Sequence, residues 1–148
     1  MLRKIIGISL ASLLLGSPVA ADTLDDVIDA GTLKCGVVLD FPPIGYFDAN
    51  NEPAGFDVEY CNDLAAALEV DVEILSLTWS ERLPVIVTGR ADVVFGATSD
   101  SLSRAKTVGF SIPYAMYYAQ GVVNSERGIK TFEDIRGKRV AAAVGTVP

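Results

Sequence analysis

The sequence predicts an α/β fold, a mainly parallel sheet flanked by helices, and three observations carry that prediction. Short apolar runs rich in branched residues alternate with amphipathic runs of helical length. Gly, Pro and capping residues stand between them. Half of the 148 residues are hydrophobic, which suffices for one ordinary core and not for two. A further strand-like run near the end of the chain has no sheet of its own, so the expectation is one lobe and the opening of another.

Ahead of the fold, Arg3 and Lys4 precede an unbroken apolar and small-residue run from Ile5 to Leu15, then Gly16, Ser17 and Pro18, then Val19, Ala20 and Ala21. A charged start, an apolar centre and a small-residue cleavage site make residues 1–21 a secretory signal peptide. The alternative is a membrane anchor, but a span needs about 20 apolar residues and this run is broken by Gly16 and Pro18. Cleavage after Ala21 would leave Asp22 first in a soluble, periplasmic chain of 127 residues. Losing Arg3 and Lys4 takes the formal net charge from -7 to -9. That balance argues against a nucleic-acid partner and otherwise reports solubility. The sequence contains no His, so imidazole metal sites and Ser-His or Cys-His catalytic arrangements within the chain are excluded. No cofactor is expected.

The first helix follows Thr23 as cap, with Asp25 and Asp26 in its first turn and Gly31 closing it. Leu33 to Leu39 reads as a strand. Two extended pieces around Tyr46 and Phe56 flank the turn-rich stretch from Asp48 to Glu52, a hairpin excursion. Asp57 then caps an amphipathic helix ending near Leu68, and Val70 to Leu77 forms the next strand. Ser80 caps a helix that tolerates Pro84 early and ends at Gly89. Asp92 to Ala97 is a third strand. Beyond Tyr114, Met116 to Val123 reads as a strand, Thr131 caps a short helix, and Lys138 to Val144 reads as a strand entering Gly145 and Thr146.

Cys35 lies in the first strand, and Cys61 shares an apolar helical stripe with Val58, Leu64, Ala65 and Leu68, so both face the core. Two buried thiols and a disulfide are both compatible with this placement. A bridge requires alpha carbons within about 7 Å.

Ligands of parallel α/β sheets bind beyond the carboxyl ends of the strands. The third end runs Gly96, Ala97, Thr98, Ser99, Asp100, Ser101, Leu102, Ser103, Arg104. Free amides at a helix start, hydroxyls and an Arg one turn on suit a carboxylate. The plainer alternative is a capped turn with Arg104 paired to a surface acid. At the other two ends stand Phe41, before Pro42 and Pro43, and Trp79, before Ser80. Two such rings can hold a flat or apolar ligand part, or can simply pack in the core.

Taken together, these residues resemble the bacterial extracellular solute-binding proteins of family 3, the amino-acid receptors of ABC importers. The resemblance is carried by Leu33 to Val37, Asp40 to Phe47, Gly55-Phe56-Asp57, Trp79 to Pro84, Gly89 to Asp92, Ser101 to Arg104, Phe110 to Tyr114 and Gly137 to Val140. It implies a type II periplasmic-binding-protein-like fold whose two lobes close on an amino acid, with residues 22–115 as an incomplete first lobe and 116–148 as the crossover and truncated start of the second. It further implies that Arg104 holds the α-carboxylate, that Ser99 helps, and that Gly96 or Ala97 offers a carbonyl to the ammonium. Phe41 and Trp79 would be aromatic walls, and the Thr146 amide would reach the carboxylate from the second lobe. Cys35 with Cys61 resembles a subgroup associated with broad amino-acid uptake. A membrane permease is the implied partner of a monomer that performs no chemistry.

Members of this family continue for about another hundred residues, so weak or absent binding by this chain alone is expected, since closure could not bury the ligand. Two other functions share the fold. A cyclohexadienyl-dehydratase-like enzyme would need a catalytic acid or base, for which the strand ends offer Asp40, Glu81 and Asp100 without evident pairing. A sensory ligand-binding domain would need a downstream membrane span.

Overall fold

A computed structural model describes residues 23–118 and 120–146. The signal-peptide expectation lies outside the described residues. No described helix is long and apolar enough to cross a membrane.

The chain opens with α1 (Thr23–Ala30) and enters β1 (Thr32–Val38), the central strand of a parallel sheet. β5 (Asp71–Leu77) pairs along its whole length, from Thr32 opposite Asp71 to Val38 opposite Leu77. β6 (Val93–Phe95) pairs on the other side, from Cys35 opposite Val93 to Val37 opposite Phe95. β1 is buried continuously from Cys35 to Val38, as a strand covered on both faces must be.

Strand alternation then assigns each face its helix. Cys35, Val37 and Leu39 pack with Val58 and Cys61 of α2 (Phe56–Ala67). Val38 and Leu77 pack on the opposite side with Val85 of α3 (Arg82–Val87) and Ala91. Val27, Leu33 and Ala65 close the end of the sheet under α1. The choice left open for the two cysteines resolves as a disulfide, with alpha carbons 6.0 Å apart and both residues fully buried.

Between β1 and α2 the expected hairpin excursion is a three-stranded antiparallel patch of β2 (Asp40–Phe41), β3 (Gly45–Phe47) and β4 (Pro53–Ala54). Its turn is held by the Asp48 carboxylate, which accepts from the amides of Asn50 at 2.8 Å and Glu52 at 2.9 Å. Phe56, expected to be extended, instead begins α2. Nor is Asp57 the cap. Gly55 takes that position at φ 112, and the amides of Phe56 and Asp57 donate to the carbonyls of Pro43 and Ile44. A Cβ at residue 55 would lie 2.7 Å from both carbonyl oxygens, so only glycine allows the backbone to do the capping.

Ser80 is likewise not the cap of α3, because Glu81 occupies that position. The Glu81 carboxylate accepts from the Thr78 amide at 2.9 Å and hydroxyl at 2.7 Å, which tightens the turn and delays the helix to Arg82. These bonds hold the Glu81 carboxyl below its ordinary range.

Past Tyr114 the expected strands 116–123 and 138–144 do not form among the described residues. Short 3-10 turns occur at Ser125–Arg127 and Glu133–Ile135, the latter in place of the helix expected after Thr131. The reason is physical: a strand's amides need a neighbouring ladder, and no described strand pairs with these segments. Their apolar side chains, including Met116, Val122, Val140 and Val144, stand exposed.

Candidate ligand-binding site

The carboxyl ends of β1, β5 and β6 bring together Phe41, Trp79 and the loop from Gly96 to Arg104. The Phe41 and Trp79 ring centroids lie 5.4 Å apart with planes at 70°. This edge-to-face contact makes one continuous aromatic surface in place of two rings facing across a gap. The Trp79 indole N–H donates to the Asp40 carboxylate Oδ2 at 3.2 Å, tying the ring to a side chain of β2, and the Tyr117 ring centroid lies 6.1 Å from that of Phe41.

Arg104 begins a 3-10 turn of three residues (Arg104–Lys106), shorter than the helix expected there. Its Nη1 donates to the Ser99 carbonyl at 2.9 Å and the Ser99 hydroxyl at 3.1 Å, and its Nη2 donates to the Gly145 carbonyl at 3.0 Å. The surface-acid alternative is therefore not what the geometry shows: none of these acceptors is a carboxylate. A shallow depression of about 460 Å³ beside this loop is lined by Asp100, Ser101, Leu102, Ala105, Phe110 and Ser111, outside the contact of Arg104 with Gly145.

A second guanidinium, not expected from the strand ends, stands beside it. Arg82 is 3 % exposed, the most deeply buried cation described. It donates from Nε to the Trp79 carbonyl at 3.0 Å, from Nη1 to the carbonyls of Gly96 and Ala97 at 2.6 and 3.0 Å, and from Nη2 to that of Gly145 at 2.8 Å. Its central carbon lies 5.0 Å from the Trp79 ring centroid, a cation–π contact. Burial, and then the charge of Arg104, push its pKa below the ordinary arginine range. The available signal was Arg82 itself, three residues before the equally buried Val85 on an otherwise apolar helix.

The model of the family described as "Bacterial extracellular solute-binding proteins, family 3" matches residues 33–135. The chain belongs to this family. Among curated members, the L-cystine-binding protein TcyJ of Escherichia coli is 33% identical over 125 residues, which are 83% of this chain and 47% of that protein. The glutamate/glutamine/aspartate/asparagine-binding protein BztA of Rhodobacter capsulatus is 31% identical over 144 residues, 94% of this chain and 42% of that one. The chain thus spans just under half the length of these relatives.

Of solved structures, an ancestral cationic amino-acid solute-binding protein is 36% identical with a TM-score of 0.61, over 64% of this chain and 41% of the other. The arginine-bound form of domain 1 from TmArgBP is 33% identical with a TM-score of 0.59, over 61% of this chain and 71% of that domain. An ancestral cyclohexadienyl dehydratase is 32% identical with a TM-score of 0.61, over 66% of this chain and 40% of the other. The fold is that of a type II periplasmic binding protein, of which the chain covers part.

Two of the groups expected to meet a ligand make other bonds in this structure. The carbonyls of Gly96 and Ala97, expected to face an ammonium, both accept from Arg82. Ala97 adopts φ 48, a left-handed conformation that costs a non-glycine residue about 1 kcal/mol, and the guanidinium bond to its carbonyl offsets that strain. The Thr146 amide donates to the Ala143 carbonyl at 3.2 Å, so it is the Gly145 carbonyl that reaches the arginines. Gly145 has φ 86, and a Cβ there would lie 2.6 Å from the Trp79 carbonyl oxygen. No larger residue could bring the backbone this close.

A buried acid lies under the same loop. Asp57 is 1 % exposed and accepts from the Tyr114 hydroxyl at 3.2 Å. Tyr114 in turn packs on Tyr60 and Phe95, with centroids at 5.3 and 5.4 Å. Burial raises the Asp57 carboxyl to about 6, only partly countered by the tyrosine hydrogen bond. Burial and the Asp57 charge raise the Tyr114 phenol in turn.

Proposed function

We propose that this chain is the ligand-gripping part of an exported receptor that captures an amino acid and delivers it to the permease of an ABC importer in the membrane. Family membership supports solute capture, since the family is described by binding and its curated relatives include receptors for amino acids. Residues 1–21 direct export to the periplasm, 22–115 form the gripping lobe, and 116–148 cross to and begin a second lobe. The receptor works as a monomer.

The observation that carries this reading is the Arg104 fork, half-buried at the mouth of β6 and braced by Ser99. A guanidinium so held presents parallel N–H donors, the geometry that recognises a carboxylate. Ser99 adds its hydroxyl, the Phe41 and Trp79 surface receives the ligand's side chain, and Thr146 approaches from the second lobe. The carbonyls of Gly96 and Ala97 are the nearest acceptors for the ammonium once the Arg82 bonds rearrange. The arginine-bound domain of TmArgBP supports measurable binding without closure by a complete second lobe, so the chain alone is expected to bind weakly.

Calorimetry and Trp79 fluorescence against the standard amino acids test the proposal. At least one should bind in the micromolar to millimolar range, and Arg104→Ala should weaken it about tenfold to a hundredfold. A folded chain that binds no amino acid at millimolar concentration refutes it. Similarity to an ancestral cyclohexadienyl dehydratase favours a second reading, an enzyme. Against it, Asp40 is engaged by Trp79 and Glu81 by Thr78. Loss of prephenate or arogenate in the presence of the chain would decide for the enzyme.

A further inference from the structure

We infer that Arg82 and Arg104 together form a two-guanidinium seat that selects an amino acid with an anionic side chain. The inference rests on the proposed amino-acid binding and names the ligand class for that site. Three of the four carbonyls that Arg82 meets, those of Trp79, Gly96 and Ala97, come from the two strand mouths and fix the orientation of the group. The fourth, Gly145, receives Nη2 of Arg82 at 2.8 Å and Nη2 of Arg104 at 3.0 Å on the same oxygen. Two positive groups therefore converge on one point, and every acceptor they meet is an uncharged carbonyl or hydroxyl.

Bringing a buried guanidinium and a half-buried one together is unfavourable unless an anion joins them. Carbonyl dipoles orient guanidinium groups and do not neutralise them. One carboxylate on Arg104 would still leave Arg82 uncompensated, and the ammonium of a zwitterionic ligand would add a further positive charge. A second carboxylate, on the ligand's side chain, brings two negative charges to these three positive ones, closer to neutrality than an amide or a cationic side chain would. A cationic side chain would meet Arg82 as a like charge, which gives discrimination by repulsion as well as attraction. The Gly145 carbonyl occupies the convergence point as a weaker stand-in, on a turn held by the Thr146 amide at 3.2 Å and hydroxyl at 2.7 Å, both donating to the Ala143 carbonyl. Displacing it exchanges a partial charge for a full one.

The decisive experiment ranks glutamate, aspartate, glutamine, asparagine and arginine by calorimetry on the unmodified chain, so that it does not depend on a variant folding. The dicarboxylic amino acids should bind roughly tenfold to a hundredfold tighter than their amides, with arginine weakest. Arg82→Gln should collapse the acid-to-amide ratio to within about threefold, whereas Arg82→Lys should keep the preference at lower affinity, since it retains charge without the fork. Glutamine or arginine binding as tightly as glutamate overturns this inference and leaves amino-acid capture standing. Binding of none of the five, with other amino acids bound, also overturns it alone. Binding of no amino acid at all overturns both.

Discussion

Asp57 gives the chain a pH dependence whose size and sign follow from its surroundings. Its carboxyl moves from an ordinary 3.8 to about 6 on folding, because burial disfavours the charged form more than the Tyr114 hydroxyl favours it. At about 1.36 kcal/mol per unit, the shift corresponds to a stability difference on the order of 3 kcal/mol. Because the folded pKa is raised, the folded state holds the proton more tightly. The contribution is fully present below pH 3.8 and is lost as pH rises through about 6. Asp57→Asn retains an oxygen to accept from Tyr114 and cannot ionise, so it should remove this loss. Urea unfolding followed by circular dichroism between about pH 3.5 and 7.5 measures it. The other shifted carboxylates, Asp48, Glu81 and Asp134, are lowered by hydrogen bonds and act in the opposite direction in both proteins. The difference between wild type and Asp57→Asn therefore isolates Asp57. The variant should gain 2 to 3 kcal/mol, roughly, relative to wild type across the range. Parallel curves would refute the reasoning.

Three further outcomes are expected. Cys35 and Cys61 are 26 residues apart, and opening that loop in the unfolded chain should cost about 3.5 kcal/mol of stability, read as a lower urea midpoint for the Cys35→Ala/Cys61→Ala pair. Gly145→Ala should displace its carbonyl from both arginines, because the added Cβ meets the Trp79 carbonyl at 2.6 Å and φ is 86. As Trp79 is the single tryptophan of the chain, its emission should shift in that variant without loss of secondary structure. Trp79→Phe should keep the edge-to-face contact with Phe41 but lose the bond to Asp40, lowering stability by about 1 kcal/mol in urea unfolding.

The alternation of apolar runs located β1, α2 and β5 to within about two residues, because each has a clear period and a glycine or polar stop at its end. The cluster of donors at the β6 mouth was legible because Ser99, Ser101, Ser103 and Arg104 follow directly after a strand. What escaped depended on partners distant in sequence. Arg82 is held by carbonyls at positions 79, 96, 97 and 145, none of which has a side-chain signature for accepting a bond. Asp57 looked like a cap because acids favour helix starts, but the backbone of residues 43 and 44 already met those amides. The cysteine pairing needed the facing of β1 and α2, which composition leaves open. Residues 116–123 and 138–144 carry strand propensity without a ladder to join, and propensity alone does not make a strand.

The bridge between Cys35 and Cys61 also bears on the order of events in biogenesis. Both sulfurs, and the antiparallel patch they enclose, lie within the first 61 residues, ahead of β5 and β6. If the chain is exported amino end first into an oxidising compartment, as proposed, the covalent joining of β1 to α2 can precede the arrival of Arg82, Arg104 and the carbonyls they meet. The later strands would then add to a template already locked in place. The scaffold that positions Arg82 and Arg104 would thereby be joined before either side chain has a carbonyl to meet.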